Sequence, residues 1–211
     1  MTPRLNGFNR IAWAYDTLSS LVYGKSLTKA QTVFLRYVPP AAGILILGGG
    51  SGSILGELFR INPGCRICFI DASSAMIRLA RNNLPAHLHA QVEFIHGTAL
   101  DIPRRTFDTI ITNFFLDLFS PKFLEAELVR IHRVLGPGGL WLVSDFNNQG
   151  KWWQRVLIKM MYLFFRAVAG IQAHHLPPWE KMLDDLKLDK GQTEMFFGNF
   201  IRCVLYRKVT E

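Results

Sequence analysis

The stretch ILILGGGSGSIL, from Ile44 to Leu55, constrains the fold more than any other part of the chain. Four large aliphatic residues stop at three consecutive glycines, and beyond Gly52 the apolar residues Ile54, Leu55, Leu58 and Phe59 return at helical spacing. The first run is apolar enough for a parallel strand buried on both faces, and the second is an amphipathic helix, so the glycines form a strand-to-helix turn. Glycine there permits positive φ and lets backbone N–H groups come close to a ligand at the positive end of the helix. A nucleotide-like molecule resting on bare backbone suits such a turn, and a purely structural tight connection uses the same residues.

The spacing of the glycines narrows the ligand. The dinucleotide pattern G-x-G-x-x-G fails because Ser53 stands at its third glycine, and the phosphate loop of nucleotide hydrolases fails because no Lys follows any of the glycines. What remains is G-x-G-x-G, at Gly48, Gly50 and Gly52.

Along the rest of the chain, short β-rich runs alternate with helical ones. Strands are expected at Gly43 to Leu47, Arg66 to Asp71, Gln91 to Ile95, Phe107 to Asn113, Gly139 to Asp145, Thr193 to Phe197 and Asn199 to Lys208. Helices are expected at Leu27 to Tyr37, Ser53 to Arg60, Ser74 to Asn82 and Lys122 to Leu135. This alternation implies an α/β fold, a doubly wound and mostly parallel sheet. The last two strands are separated by Gly198 alone, which suits a hairpin and an antiparallel final strand. At 211 residues and 49% apolar composition, one domain spanning residues 1–211 is expected. Residues 1–40 are a helical arm, and residues 146–192, rich in aromatics, are a helical segment inserted before the last hairpin and placed to cover a substrate.

Charge and cysteine usage bear on partners and compartment. The formal net charge is +8. Residues 1–40 hold Arg4, Arg10, Lys25, Lys29 and Arg36 against Asp16 alone, and Lys151, Arg155, Lys159 and Arg166 are interleaved with Trp152, Trp153, Met160, Met161, Tyr162, Phe164 and Phe165. The second group would line a helix that rests in an anionic membrane interface or covers a greasy substrate; a packed helix with solvated cations has the same composition. Cys65, Cys68 and Cys203 agree with a reducing compartment, and Cys65-x-x-Cys68 lacks the second pair that a metal site wants. No metal is called for. The absence of a secretory pattern in MTPRLNGFNR points to the cytoplasm, with peripheral membrane contact as the further option.

An open parallel sheet binds its ligands outside the carboxyl ends of the strands. The second strand, CRICFID, ends in Asp71, where a carboxylate can accept from both hydroxyls of a ribose; an Asx turn leading to a helix cap at Ser73 also accounts for it. The following ASSAMIRLAR, together with VEFIHGTALDIP, RTFDTIITNFFLDLF and RIHRVLGPGGLWLVSDF, resembles in order the motifs of the class I S-adenosylmethionine-dependent methyltransferases. The arm FNRIAWAYDTLSSLVYGKS is similar to the one preceding this domain in the ubiquinone/menaquinone biosynthesis C-methyltransferase group. The resemblance covers roughly residues 8–146.

It implies a Rossmann-like fold and S-adenosylmethionine as cofactor, leaving as S-adenosylhomocysteine. It places Gly48, Gly50 and Gly52 under the methionine portion, Asp71 and Ala72 at the ribose, and Thr98 and Ala99 by the adenine. Asn113 and Phe114 would face the reacting centre, with Tyr15 closing over the methionine end. Two positions depart from the family pattern: Ile46 and Thr98 stand where acidic residues are usual. A hydroxyl accepts from the adenine amino group more weakly than a carboxylate, a deficit on the order of 1 kcal/mol.

The expected reaction is in-line methyl transfer to a small, apolar or lipid-like acceptor. Asp117, His174 and His175 are the candidate general bases, each equally explicable as a turn or loop residue. Methylation of RNA or another polyanion is the alternative, supported by net charge but without an N/D-P-P-Y type motif, so nucleic acid is not the expected partner. A non-catalytic binding protein that kept the fold is the third reading.

Overall fold

Strand β1 (Gly43–Leu47) runs through the middle of the molecule because each of its four aliphatic side chains is buried. Alternation divides them between the two sides of the sheet. Ile44 and Ile46 join Phe34, Leu58 and Phe69 in one core, and Leu45 and Leu47 join Ile110, Leu128 and Trp141 in the other. The computed structural model describes residues 24–169 and 175–210.

Around β1 stand β2 (Arg66–Asp71), β3 (Val92–His96), β4 (Phe107–Asn113), β5 (Leu135–Phe146), β6 (Leu188–Phe196) and β7 (Ile201–Lys208), in the order β3-β2-β1-β4-β5-β7-β6. The pairs β1–β2, β1–β4, β2–β3 and β4–β5 are parallel, whereas β7 is antiparallel to both β5 and β6. The mostly parallel, doubly wound sheet with an antiparallel final strand is therefore as expected. The helices are α1 (Lys25–Thr32), α2 (Ser53–Ile61), α3 (Ser74–Asn83), α4 (Pro121–Val134), α5 (Trp152–Ala169) and α6 (Trp179–Asp184).

β1, β2 and β4 have the expected bounds, and the departures lie elsewhere. The helix expected from Leu27 to Tyr37 is broken into α1 and a 3-10 turn at Leu35–Tyr37. The break follows Thr32, whose hydroxyl donates back to the Thr28 carbonyl at 2.8 Å, and the β-branched Val33. β5 starts at Leu135 rather than Gly139, because Leu135 pairs with Phe107 ahead of an irregularity that ends where Thr109 pairs with Leu140. β6 starts five residues early, on a charged and exposed edge with a bulge between Lys190 and Thr193. Its turn into β7 takes Phe197, Gly198 and Asn199 at positive φ, not Gly198 alone. α5 and α6 both fall in residues 146–192, the stretch expected to be helical, for which the sequence supplied no individual helix bounds. Cys65 and Cys68 are buried in opposite cores, and burial pushes each thiol up to about 11, so they form no dithiol pair.

Candidate functional site

From β1 the chain winds out to β2 and β3 on one side and later to β4 and β5 on the other, so the turn after β1 lies at the point where the strand order reverses. The four glycines of that turn do different work. A Cβ on Gly49 would lie 2.2 Å from the Phe69 ring, and one on Gly48 2.7 Å from Phe115. At Gly52, φ is +74° and a Cβ would meet Ala80 at 2.8 Å, which lets α2 start close against α3. Gly50 differs. It also has positive φ, +59°, yet a Cβ there would meet nothing within 4 Å, so it faces open space. Gly52 brings no side chain to cap α2, and its carbonyl accepts from the Leu55 amide at 2.9 Å, so the positive end of the helix lies at this turn.

Asp71 holds the open glycine in place. Its Oδ2 accepts the Gly50 amide at 2.8 Å and its Oδ1 accepts the Ser73 amide at 2.8 Å. The Ser73 contact is the Asx turn weighed above, and Ser73 in turn caps α3 by accepting from the Met76 amide. The carboxylate thus couples the turn after β1 to the end of β2 while each oxygen keeps lone-pair capacity for further donors. Burial pushes its carboxyl above the usual range, and the Ser73 and Gly50 amides and nearby His96 pull it back. His96 Nε2 lies 3.1 Å from the Ala72 carbonyl, so Ala72 presents backbone at this edge.

Beyond β3, Thr98 caps the 3-10 turn Ala99–Asp101. Its hydroxyl accepts from the Leu100 amide at 3.2 Å and lies 3.3 Å from Asp101 Oδ2, which also accepts the Thr98 amide at 2.7 Å. The Thr98 hydroxyl is therefore largely committed to its own loop, and the carboxylate there belongs to Asp101, a residue that the motifs alone mark as an ordinary loop position. Gly97 permits the arrangement, since a Cβ would meet the Asp101 carboxylate at 2.5 Å. Ala99 is buried at the start of the turn.

At the end of β4, Asn113 pairs with Ser144, and Phe114 follows at a φ of +52°, a left-handed conformation that a bulky residue adopts only at a cost of about 1–3 kcal/mol. The Phe114 amide donates to the Ser144 carbonyl at 2.7 Å, and its ring lies 5.0 Å from that of Phe146. From Phe146 the aromatic contacts continue to Phe200 at 5.1 Å and on to Trp153 of α5 at 5.7 Å. Aromatic rings thus run from the end of β4 to α5.

Asp117, a candidate base, lies in the short 3-10 turn after β4. It is buried, its Oδ1 has no donor facing it, and its carboxyl meets that of buried Asp145. Burial and the neighbouring Asp145 push the Asp117 carboxyl well above the usual carboxylate range. Asp145 accepts from the amides of Leu116 at 2.9 Å, Asp117 at 3.3 Å and Phe146 at 2.7 Å, and it holds the loop after β4 rather than merely ending β5. The other candidate base that is described, His175, is exposed. Tyr15 and His174 lie outside the described residues. The structure brings the Gly48–Gly52 turn, Asp71, Asn113 and Phe114 to adjacent strand ends, with Thr98 and Ala99 one strand further out beyond β3. Motif spacing gave no sign that Gly49, Asp101 and Asp145 shape these loops. The signal for Gly49 was the third adjacent glycine, one more than the G-x-G-x-G pattern needs.

Residues 44–139 match a family model described as a methyltransferase domain. A carboxy-S-adenosyl-L-methionine synthase of Hamiltonella defensa is 30% identical over 63% of this chain and 58% of its own length. The ubiquinone/menaquinone biosynthesis C-methyltransferase UbiE of Hahella chejuensis is 29% identical over 67% of this chain and 58% of its own length. The chain thus spans little more than half the length of these relatives. Among solved structures, the 1,6-didemethyltoxoflavin-N1-methyltransferase of Burkholderia thailandensis, with bound 1,6-didemethyltoxoflavin and S-adenosylhomocysteine, superposes with a TM-score of 0.69 at 16% identity, covering 97% of this chain and 88% of that one. The matched segment runs from β1 into β5 and takes in the glycine turn and Asp71, so residues 44–139 are similar to a methyltransferase domain in both sequence and strand order.

Proposed function

We propose that the chain transfers a methyl group from S-adenosylmethionine to a small, apolar or lipid-like acceptor. The observation that carries this reading is the open space at Gly50, whose amide is held by Asp71 at the switch point of the sheet. Gly50 leaves room for a ligand atom where any side chain would stand. The Asp71 carboxylate accepts from the vicinal hydroxyls of a ribose, and the turn Thr98–Asp101 borders the adenine. The cofactor, when bound, supplies an electrophilic sulfonium methyl.

What the protein adds is positioning and exclusion of water. Phe114, fixed in its left-handed conformation by the Ser144 carbonyl and the Phe146 ring, orients a flat acceptor at the end of β4. Of the rings from Phe114 to Trp153, Phe146 and Phe200 are buried support, and the half-buried Phe114 and Trp153 offer apolar surface, which favours an acceptor of the same character. The relatives name both a C-methyltransferase and an enzyme that makes a carboxylated form of S-adenosylmethionine, so the product has to be identified rather than inferred.

Incubation with methyl-labelled S-adenosylmethionine and pools of quinones, phenols, lipids and RNA tests the proposal. Label is expected in a low-mass, solvent-extractable product. Label in RNA would establish the polyanion reading instead, and a labelled product that is itself an altered cofactor would overturn methyl transfer.

A further inference from the structure

The two sides of α5 are unlike those of the other long helix. Gln154, Ile158 and Tyr162 are buried, and Trp153, Leu157 and Met161 are half-buried against the core. The opposite side carries Trp152, Val156, Met160 and Leu163, exposed by 77%, 48%, 63% and 71%, at spacings of four, four and three residues that keep them on one stripe. Beside that stripe stand exposed Arg155 and Lys159, with Lys151 just before the helix. No Asp or Glu occurs from residue 151 to 169. Helix α4, by contrast, mixes Glu125 and Glu127 with Lys122, Arg130 and Arg133, as a solvated helix does.

We propose that this outward face of α5 docks on an anionic lipid bilayer. Large apolar side chains with a tryptophan, edged by cations and lacking any acid, are what an interfacial helix presents: the apolar stripe enters the acyl boundary and the long basic side chains reach lipid phosphates. Charge complementarity selects this occupant. A second copy stacked through the same face would oppose Arg155 and Lys159 to their own counterparts. Among the described residues no helix is long and apolar enough to cross a membrane, so α5 lies on the surface rather than spanning it. Docking there would set the Trp153 side of the helix, and the aromatic rings that run from it to the end of β4, just beneath the bilayer surface.

Co-sedimentation of the full chain with vesicles of phosphatidylcholine alone, or with added phosphatidylglycerol, tests the proposal without reference to catalysis. Binding is expected only with phosphatidylglycerol and should weaken with salt. Arg155→Gln with Lys159→Gln should weaken it about 25-fold, roughly fivefold for each cation. Trp152→Ala with Met160→Ala should also weaken it, and the native fluorescence shift on adding vesicles should disappear in Trp152→Phe. These residues are exposed, so unchanged circular dichroism is expected. Native protein that ignores anionic vesicles overturns the proposal, as does binding that both variant pairs leave intact. A dimer in light scattering that Trp152→Ala with Met160→Ala converts to monomer would make the face a contact between copies and overturn it equally. Methyl transfer to a water-soluble acceptor needs no vesicles, so failure here is separable from failure of the proposed activity.

Discussion

Asp117 and Asp145 meet carboxyl to carboxyl beneath the loop after β4, both shut off from solvent. Asp145 spends its oxygens on the amides of Leu116, Asp117 and Phe146, and Tyr162 of α5 donates to the Asp117 carbonyl at 3.0 Å. One proton shared between the carboxyls accounts for an Asp117 oxygen that no donor faces. Burial pushes Asp145 up to about 7 and Asp117 well above the carboxylate range.

The sign of the pH effect follows from these raised values. The folded chain keeps a proton that the unfolded chain releases near pH 4, so this pair's contribution to stability falls as pH rises from about 4 through about 7. Asp117→Asn keeps a donor toward Asp145 and removes the Asp117 titration, leaving Asp145 as the one carboxyl of the pair. Urea unfolding at pH 5, 6, 7 and 8 should therefore show the variant gaining on the native protein as pH rises. A gap that closes with rising pH, or never changes, would contradict the shared proton. Asp145→Ala should cost about 3 kcal/mol or more at any of these pH values, since it leaves buried amides unpaired.

Gly49 and Gly50 are adjacent and should behave oppositely. Gly49→Ala drives a methyl into the Phe69 ring and should destabilise the fold by about 2 kcal/mol or more. Gly50→Ala meets no protein atom and should cost only about 1 kcal/mol of left-handed strain, yet its methyl enters the open space and should weaken S-adenosylmethionine binding at least tenfold. Thermal melts and cofactor titrations on both variants check the pair. Equal binding loss in the two would mean that the open space at Gly50 is not the ligand site.

At Thr98, restoring the acid usual in the family should not by itself tighten binding, because a carboxylate there would face Asp101. Thr98→Asp should bind the cofactor no better than the native chain, whereas Thr98→Asp with Asp101→Asn should improve on the single variant by a few-fold. The comparison is read by calorimetry. No difference between single and double variants would place the adenine away from this turn.

The central parallel strands, the glycine turn and Asp71 were legible in the sequence because each rests on local pattern: an aliphatic run, adjacent glycines, an acid at a strand end. The meeting of Asp117 with Asp145 was not, since it joins the turn after β4 to the end of β5, 28 residues on, and depends on the β4–β5 register. The early start of β6 was hidden for a different reason. Its residues are exposed edge positions such as Asp189, Lys190 and Gln192, so the apolar alternation that marks a strand is missing. Thr98 was read as a free hydroxyl because spacing does not reveal that Asp101, three residues on, closes a capping box with it.

Calorimetric titration of the chain with S-adenosylmethionine, native and Asp71→Ala side by side, tests the account most directly. The native protein should bind one equivalent, and loss of the carboxylate that meets both the Gly50 amide and the ribose hydroxyls should cost about 2 kcal/mol or more, roughly 30-fold in affinity. Saturable native binding with at least that loss is the predicted result. No binding to the native chain, or equal affinity in a folded Asp71→Ala variant, would contradict the assignment of the cofactor to this site.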